Sequence, residues 1–295
     1  MKTYLPARPP FSLNSVVHSH GWIRLAPFQE DETNGGFHYV DELSSGSVVL
    51  LYIHEADQGV WVETEVELTP VEENEICHKV TWMLGLDQVF ESFYELAASE
   101  PKLAKVAKKA QGRILRSATF FEDTIKTILT TNTSWSGTIR MVNALVTLYG
   151  ASLPGDSLRH AFPTPATLAN SDVETLRTAA RLGYRAPYVL ELAQTAAAGS
   201  LDLESFKTSD LPTAELRKQI LAIKGVGGYA AANLLMLLGR YDFVPVDSWA
   251  LKVVSHEWHG GQPVGSADVE QAFESWGEWK GLAYWLWDWT FIETA

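Results

Sequence analysis

A glycine turn between two helical runs is the feature that most constrains how this chain can fold. It lies within Leu216–Gly239, where Gly225-Val-Gly227-Gly228 separates two apolar runs. Before the turn, apolar residues recur at helical spacing among charged ones: Leu216, Ile220 and Ile223. This pattern indicates an amphipathic helix rather than a buried strand. The turn therefore leaves free backbone N–H groups at the start of the second helix, and such donors suit a phosphate.

One carboxylate follows a short distance after the second helix. Asp247 ends the segment Val244-Pro-Val-Asp and precedes the helical run Ser248–Val254. By itself, an aspartate in this place is most often a helix N-cap. Gly225-x-Gly227-x-x-Ala230, with Asp247 about 20 residues later, also matches a dinucleotide-binding pattern. That pattern needs a strand before its first glycine, so the helical spacing argues against it. A purely structural corner between two helices remains the other alternative.

Residues 1–70 have the pattern of an antiparallel sheet. Ser47–Ile53 is a run of β-forming residues, and Asp57-Gln-Gly59 provides a turn. After the turn, one set of residues alternates with glutamates at period two: Val62, Thr64, Val66 and Leu68. Gly21–Phe28 is a candidate for a further strand. We therefore expect a small antiparallel β domain over residues 1–70.

The rest of the chain has helical periodicity. From Val71 onward, apolar residues recur three or four positions apart, and prolines and glycines separate short helices. One such set is Ile76, Val80, Met83 and Leu84; another is Phe121, Ile125, Ile128 and Leu129. We expect an all-α domain over residues 71–295, with the helix-hairpin-helix at about 213–239. The fold class is α+β, with a mostly α-helical core and a small N-terminal antiparallel sheet.

Composition excludes several classes of protein. With 46% hydrophobic and 20% charged residues, the chain is globular rather than disordered. The single cysteine, Cys77, excludes an internal disulfide, a four-cysteine zinc site and an iron–sulfur cluster built from this chain. His18-Ser-His20 lacks a third ligand at suitable spacing, so we expect these histidines to be surface or strand residues and no metal to be bound. We also expect no cofactor. The sequence shows neither a secretion signal nor a run of about 20 apolar residues, so we expect a cytoplasmic protein without a membrane segment.

The net charge of −13 is unusual for a chain that binds nucleic acid. Charge is distributed unevenly, because residues 102–116 contain six basic side chains and no acid: Lys102, Lys105, Lys108, Lys109, Arg113 and Arg116. This run is either a basic binding surface or a solvated helix face. Backbone N–H groups hold a phosphate without many lysines, which weakens the objection from net charge.

The sequence resembles the helix-hairpin-helix (HhH-GPD) DNA glycosylase superfamily in two motifs, Leu221-Ala-Ile-Lys-Gly-Val-Gly227 and Val244-Pro-Val-Asp247. The likeness is to the 8-oxoguanine and bacterial 3-methyladenine branches. Two further segments resemble those branches, Leu182-Gly-Tyr-Arg-Ala-Pro-Tyr188 and Phe121–Asn132, and the N-terminal sheet resembles their small antiparallel domain. Endonuclease III-like members carry a cysteine-ligated cluster, and this chain departs from them there.

The resemblance implies roles for the residues that match. Asp247 is the catalytic carboxylate, which supports departure of the base and stabilises the cation-like sugar. Tyr229 stands where members with lyase activity have a Schiff-base lysine, and a phenol cannot form an imine. Tyr229, Asn233 and Trp279 form the base pocket in this interpretation. Ordinary packing in a helix or in the core is the alternative for each of the three.

The same resemblance implies the contacts with DNA. Asn132 fills the space that a flipped base leaves, and Trp135 is a candidate wedge between bases. The alternative for Asn132 is a turn residue within Thr131-Asn-Thr-Ser134. The hairpin residues expected to hold DNA are Lys224, Gly225, Gly227 and Gly228.

Together these roles imply a monofunctional DNA N-glycosylase of base-excision repair, which flips a damaged purine and hydrolyses its glycosidic bond. An electron-rich pocket favours cationic alkylated purines, with oxidised purines second. The expected partner is double-stranded DNA containing a damaged base. We expect the protein to bind it as a monomer and, in a prokaryote, to be associated with the nucleoid. Two alternatives stay open: a bifunctional glycosylase and lyase using Lys224 or Lys252, and a non-catalytic module that binds damaged DNA.

Overall fold

A computed structural model describes residues 1–33 and 35–289 of the chain. The chain forms two compact units, and each is built from two stretches of sequence. Unit 1 comprises Met1–Val89 and Arg113–Thr208, and unit 2 comprises Phe90–Gly112 and Ser209–Ala295. Unit 1 contains strands and helices together, so the compact units do not follow the change from strands to helices near residue 70.

The strands of the main sheet are β1 (Lys2–Pro6), β2 (Phe28–Glu30), β3 (Phe37–Glu42), β4 (Val48–Ala56) and β5 (Gly59–Glu63). They pair antiparallel in the order β1-β5-β4-β3-β2. The expected β4–β5 hairpin is confirmed, with its turn at Asp57-Gln58. Val60 and Val62 point to the buried face, as the period-two pattern predicts.

Two details of the strand prediction are wrong. Strand β5 ends at Glu63, and Val66 is exposed, because the chain leaves the sheet before Leu68. Gly21–Phe28 does not form a strand of its own, and only its last residue, Phe28, belongs to one, β2. Its first residues, Gly21–Arg24, form a 3₁₀ turn, in which the Trp22 indole N–H donates to Asp123 Oδ1 at 2.8 Å. The backbone of this segment bonds locally instead, with the Leu25 N–H donating to the Trp22 carbonyl at 2.8 Å.

The α-helices are α1 (Leu13–Val17), α2 (Pro70–Leu84), α3 (Glu91–Ala97), α4 (Phe120–Thr130), α5 (Trp135–Tyr149), α6 (Pro165–Ala169), α7 (Val173–Thr178), α8 (Ala186–Ala197), α9 (Thr213–Leu221), α10 (Gly228–Leu237), α11 (Ser248–His259), α12 (Ser266–Ala272) and α13 (Lys280–Leu286). Further 3₁₀ turns lie at Pro101–Leu103, Gly183–Arg185, Glu204–Thr208 and Glu274–Trp279. The α+β fold class is therefore confirmed. In the part of the chain that the structure describes, none of these helices is both long and apolar enough to cross a membrane.

The helical part of the chain is not entirely α-helical, which corrects the expectation for residues 71–295. A second antiparallel pair forms from β6 (Ser152–Leu153) and β7 (Asp156–His160). Pro154-Gly155 makes its turn, where Gly155 has a φ of +82°. Ala161, directly after β7, is buried in one apolar cluster with Val40 and Leu50. The hairpin thus packs on the main sheet, a contact that helical periodicity does not indicate.

Helix α4 lies in the core of unit 1, where every residue from Phe120 to Leu129 is buried. Two of its charged residues pair inside the protein: Lys126 Nζ lies 2.5 Å from Glu122 Oε1, and the Tyr39 hydroxyl donates to Glu122 Oε2 at 2.6 Å. These bonds satisfy groups that would otherwise be costly to bury. They connect α4 to strand β3, and α4 in turn leads directly into the segment that carries Asn132.

The basic run at residues 102–116 supplies less surface charge than its sequence suggests. Arg113 and Arg116 are 2% and 3% exposed. The Arg113 guanidinium donates to four backbone carbonyls, those of Arg8, Pro10, Gly85 and Gln88. Lys102 Nζ lies 3.5 Å from Glu257 Oε1, so a carboxylate offsets its charge. Residues 104–110 form turns rather than a helix, so the run is not a solvated helix face.

Candidate active site

The hairpin of unit 2 joins α9 to α10 through residues 222–227. Gly225 has a φ of +87°, a conformation that glycine adopts at little cost. Ile223 and Val226 are buried, and the Val226 N–H donates to the Ile223 carbonyl at 3.1 Å. These two residues anchor the turn in the core, while Lys224 is exposed. The expected helix-hairpin-helix is therefore present, with apolar anchors on one side and open backbone on the other.

Gly227 and Gly228 are glycines that the fold itself does not require. Gly227 caps α10 with a φ of −95°, and a Cβ at this position would meet nothing within 4 Å. A Cβ on Gly228 would have Arg217 Nη2 as its nearest neighbour, 3.9 Å away. Both glycines are exposed, and the first N–H groups of a helix lack acceptors within it. The bare backbone therefore allows an external anion to reach these N–H groups.

Asp247 begins α11, as predicted. Its Oδ1 accepts a hydrogen bond from the Ala250 N–H at 2.8 Å, so the residue is an N-cap. The buried Val244 anchors the segment that leads to it, whereas the Asp247 side chain is exposed. The cap engages Oδ1 and fixes the orientation of the carboxylate. Capping and catalysis are thus compatible, because one oxygen suffices for the cap.

Tyr229 and Asn233 lie one turn apart on α10, and both are partly buried. The Asn233 side-chain amide donates to the Tyr229 backbone carbonyl at 2.9 Å. Burial and the negative charge of Asp247 raise the pKa of the Tyr229 phenol. The structure therefore brings Tyr229, Asn233 and Asp247 together in unit 2.

Tyr284 is a fourth member of this group, and the sequence analysis missed it. It lies on α13, which packs against α10, and it is 5% exposed. Burial, the charge of Asp247 and the neighbouring Tyr229 all raise the pKa of the Tyr284 phenol, which stays protonated at neutral pH. The C-terminal part of the chain has many aromatic residues, and nothing in their spacing distinguishes Tyr284 from the others.

Trp279 lies just before α13 and is partly buried in a different aromatic group. Its ring stacks on Tyr241 with a centroid distance of 5.4 Å and an interplanar angle of 22°. It also lies 6.0 Å from the ring of Phe90 and 5.5 Å from that of Phe93. These contacts support a packing role for at least one face of the indole. Its expected place in the base pocket stays a prediction.

Asn132 occupies the exposed turn between α4 and α5 in unit 1. Its φ of +48° is left-handed, which asparagine tolerates better than most residues. The Arg185 guanidinium donates to the backbone carbonyls of Thr131 and Asn132, the latter at 3.2 Å. The Asn132 amide donates to the Tyr184 hydroxyl at 3.3 Å. The turn is therefore rigidly supported from the segment that includes Tyr184 and Arg185.

Trp135, the first residue of α5, packs against another residue of unit 1. A Cβ on Gly21 would lie 2.3 Å from Trp135 Cζ2, so the indole rests directly on the glycine backbone. The side chain is partly buried as a result. A wedge between bases would require the indole to leave this position, and that role stays a prediction.

Residues 125–278, more than half of the chain, match the family described as "HhH-GPD superfamily base excision DNA repair protein". The chain belongs to this superfamily. The match covers the Asn132 turn, the hairpin and Asp247, which are the features already described from geometry. As a member, the protein is a DNA-binding enzyme of base-excision repair, a DNA glycosylase.

Known relatives agree with membership of the HhH-GPD superfamily. A DNA-3-methyladenine glycosylase of Bacillus subtilis (strain 168) is 24% identical over 229 residues, 74% of each chain. The solved 3-methyladenine DNA glycosylase of Archaeoglobus fulgidus has a TM-score of 0.76 at 20% identity, covering 96% of this chain and 97% of that chain. The Clostridium acetobutylicum 8-oxoguanine glycosylase/lyase, bound to double-stranded DNA containing cytosine opposite 8-oxoG, has a TM-score of 0.73 at 20% identity, covering 97% and 93%. At these identities, the structural likeness establishes a shared fold.

Proposed function

We propose that this HhH-GPD protein is a monofunctional DNA glycosylase that excises damaged purines, alkylated purines first and oxidised purines second. Its substrate is double-stranded DNA containing a damaged base, and it acts as a monomer. The observation that carries the proposal is the group of Tyr229, Asn233 and Tyr284 around the carboxylate of Asp247. This group combines a carboxylate oriented by its cap bond with two phenol rings, and none of the four residues named is a lysine.

In the proposed reaction, the damaged nucleotide leaves the base stack so that its glycosidic bond becomes accessible. Positive charge develops on the sugar as the C1′–N bond breaks. Asp247, oriented by its cap bond to Ala250, stabilises that charge and orients the attacking water. The base departs with the bonding electron pair, water supplies the hydroxyl on C1′, and the proton that the water loses passes by way of the Asp247 carboxylate to solvent. The product is an abasic site in an intact strand.

The absence of a lyase step follows from the residue types near Asp247. Lyase chemistry needs an amine that attacks C1′ and forms an imine, and the Tyr229 phenol has no such reactivity. Lys224 and Lys252 are the lysines nearest to Asp247 in the sequence. Lys224 is exposed on the hairpin, and Lys252 Nζ lies 5.7 Å from the centroid of the exposed Trp249 ring. The glycosylase/lyase from Clostridium acetobutylicum shares the fold, so fold alone does not decide this point.

The preference for alkylated purines rests on the aromatic character of the group. N-alkylation gives a purine a positive charge, and cations are attracted to the faces of tyrosine and tryptophan rings. Asn233 uses one of its two amide N–H donors on the Tyr229 carbonyl, which leaves one N–H and the side-chain oxygen for a bound base. An oxidised purine depends on specific hydrogen bonds, so we rank it second.

Base release from a panel of duplexes tests the proposal, with one defined alkylated or oxidised purine in each duplex. We expect release from at least one alkylated duplex, and strand cleavage only after alkali. Borohydride is added in a parallel reaction to trap any imine. Cleavage without alkali, together with a trapped adduct, would establish the bifunctional alternative. Specific binding without release from any duplex would establish the non-catalytic one.

A further inference from the structure

Arg217 reaches from α9 to the first residue of α10. Its Nη2 lies 3.9 Å from the position that a Cβ on Gly228 would occupy. Its Cζ lies 4.7 Å from the centroid of the Phe243 ring, so the guanidinium rests on that ring. The side chain is partly buried. Both contacts lie within unit 2, and they place a positive charge beside the open N–H groups of the hairpin.

This placement is unfavourable in the free protein. The N-terminus of a helix carries a partial positive charge, so a cation beside it is repelled. Arg217 Nε is also buried without a hydrogen-bond partner in the part of the chain that the structure describes. The Phe243 ring holds the guanidinium in place despite both costs. An anion bound at the hairpin would lie between the guanidinium and the helix N-terminus and would be attracted by both.

We propose that Arg217 is a second arm of the hairpin's phosphate site and donates to the same DNA phosphate as the N–H groups at Gly227 and Gly228. This inference rests on the proposed function and on the expectation from the sequence that the hairpin holds a DNA phosphate. A guanidinium suits the role because its N–H donors form a planar fork that matches two phosphate oxygens. The guanidinium is held over the Phe243 ring, and its Nη2 lies within 4 Å of the Cβ position at Gly228, on the side of the hairpin.

The two arms contribute differently to binding. Backbone N–H groups fix the position of a phosphate but carry no net charge. An arginine that neutralises a phosphate releases a condensed counterion, and this makes binding depend on salt. In a chain with a net charge of −13, a few well-placed cations must provide most of that electrostatic attraction. We therefore expect Arg217 to account for a measurable part of the salt dependence of DNA binding.

The experiment measures the affinity for a fluorescent abasic-site duplex over a series of salt concentrations. The wild type is compared with Arg217→Gln and with Lys218→Gln as the matched control. Lys218 is the next residue on α9, and its substitution by glutamine removes the same charge. Its side chain is exposed and forms an ion pair with Glu215. Removing one phosphate contact makes the negative slope of log K against log salt shallower by about 0.9, equivalent to about an eightfold loss of affinity at 0.1 M salt. We expect this change in Arg217→Gln and a clearly smaller one in Lys218→Gln.

Further variants keep the result interpretable. Arg217→Lys retains the charge and should keep a slope near that of the wild type. Arg217→Met removes the charge while retaining apolar contact with Phe243, and it replaces Arg217→Gln if thermal melting shows that the latter is unfolded. Equal slopes for the wild type and a folded, neutral Arg217 variant would overturn the proposal. So would a change in Lys218→Gln as large as that in the Arg217 variant.

Failure of this inference is distinguishable from failure of the proposed function. If Gly227→Glu weakens binding but neutral Arg217 variants do not, the hairpin holds DNA and Arg217 takes no part. The binding measurement uses an abasic duplex, so it does not depend on which base is excised or on whether any base is released.

Discussion

The Asp247 carboxylate, the cap of α11, lies close enough to Tyr229 in the first turn of α10 for its negative charge, together with burial, to raise the pKa of the Tyr229 phenol. The relationship joins the two motifs that are most prominent in the sequence. The hairpin ends where α10 begins, and Tyr229 is the second residue of that helix. A DNA backbone held at the hairpin would therefore be held one residue away from Tyr229, whose phenol lies within electrostatic reach of Asp247.

The first prediction concerns the charge of Asp247. Asparagine is as good an N-cap as aspartate, and its side-chain oxygen retains the bond to the Ala250 N–H. Asp247→Asn should therefore fold normally and bind abasic DNA like the wild type. Base release should fall on the order of 10²-fold or more, because a charge that stabilises the transition state has been removed. Single-turnover base release and abasic-duplex affinity are the measurements.

Asp172→Asn is the matched control for this variant. Asp172 is also an exposed N-cap, and its Oδ1 accepts from the Glu174 and Thr175 N–H groups at the start of α7. It should leave base release unchanged. If Asp247→Asn kept wild-type turnover on every lesion that the parent excises, Asp247 would act only as a helix N-cap.

The second prediction concerns the hairpin glycine. Gly227 has an ordinary φ and open space around its Cβ position, so Gly227→Glu should fold. The added carboxylate would stand where a phosphate should approach. Affinity for damaged and undamaged duplexes should therefore fall about equally, because backbone contacts are independent of sequence.

Gly265→Glu provides the comparison for Gly227→Glu. Gly265 likewise caps a helix, α12, and a Cβ there would have its nearest neighbour, Asp268 Oδ2, 3.7 Å away. The two substitutions add the same charge at equivalent positions of two helices in unit 2. Unchanged affinity in a folded Gly227→Glu protein, or an equal loss in both variants, would move the DNA contact away from the hairpin.

The strong local patterns predict much of this fold. Alternating valines and glutamates identify β5, and helical spacing around Gly225 identifies α9 and the hairpin. Strand β1 was not predicted, because its partner β5 is about sixty residues away and pairing at that distance leaves no local signal. The β6–β7 pair is stabilised by its contact with the main sheet, and that contact also lies far along the chain.

The site was predicted in part for similar reasons. Asp247 and Tyr229 stand in recognisable motifs, whereas Tyr284 becomes distinctive only when α13 packs on α10. Arg217 lies on the polar side of an amphipathic helix, where a sequence pattern suggests nothing more than solvent exposure. Arg113 shows the converse, because the basic run containing it suggested a surface and the fold buries it.

The third prediction concerns the pH dependence of stability through Asp123. Burial raises the pKa of this carboxyl to about 6, even though Oδ1 accepts bonds from Trp22 and Ser117 and lowers it in part. Its folded pKa lies above the unfolded value of about 3.9. The carboxyl therefore contributes stability that is fully present below about pH 4 and is lost as the pH rises through 6. Asp123→Asn removes this titration.

The free energy of unfolding is measured for the wild type and for Asp123→Asn between pH 3.5 and pH 7.5. The wild-type value minus the variant value should decrease by up to about 3 kcal/mol across this range. His20 contributes in the opposite sense, because burial lowers its pKa to about 4, but it is present in both proteins and largely cancels in the difference. A difference that does not change with pH would show that Asp123 titrates normally.

The last prediction separates the two roles open to Trp279. If its indole stacks on a flipped base, Trp279→Ala should lower base release by roughly 5- to 150-fold, which corresponds to about 1–3 kcal/mol of stacking. Binding to an abasic duplex should be spared, because no base is present to stack. Loss of the contacts with Tyr241 and Phe93 will also lower the thermal stability.

Trp276→Ala controls for that loss of stability. Trp276 lies in the same 3₁₀ turn, and its ring is 6.4 Å from that of Phe93. Comparable destabilisation in both variants, with the ratio of base release to abasic binding reduced only in Trp279→Ala, would support a place in the base pocket. An unchanged ratio in Trp279→Ala would make this tryptophan part of the aromatic core with Tyr241. The preference for alkylated purines would then depend on Tyr229 and Tyr284 alone.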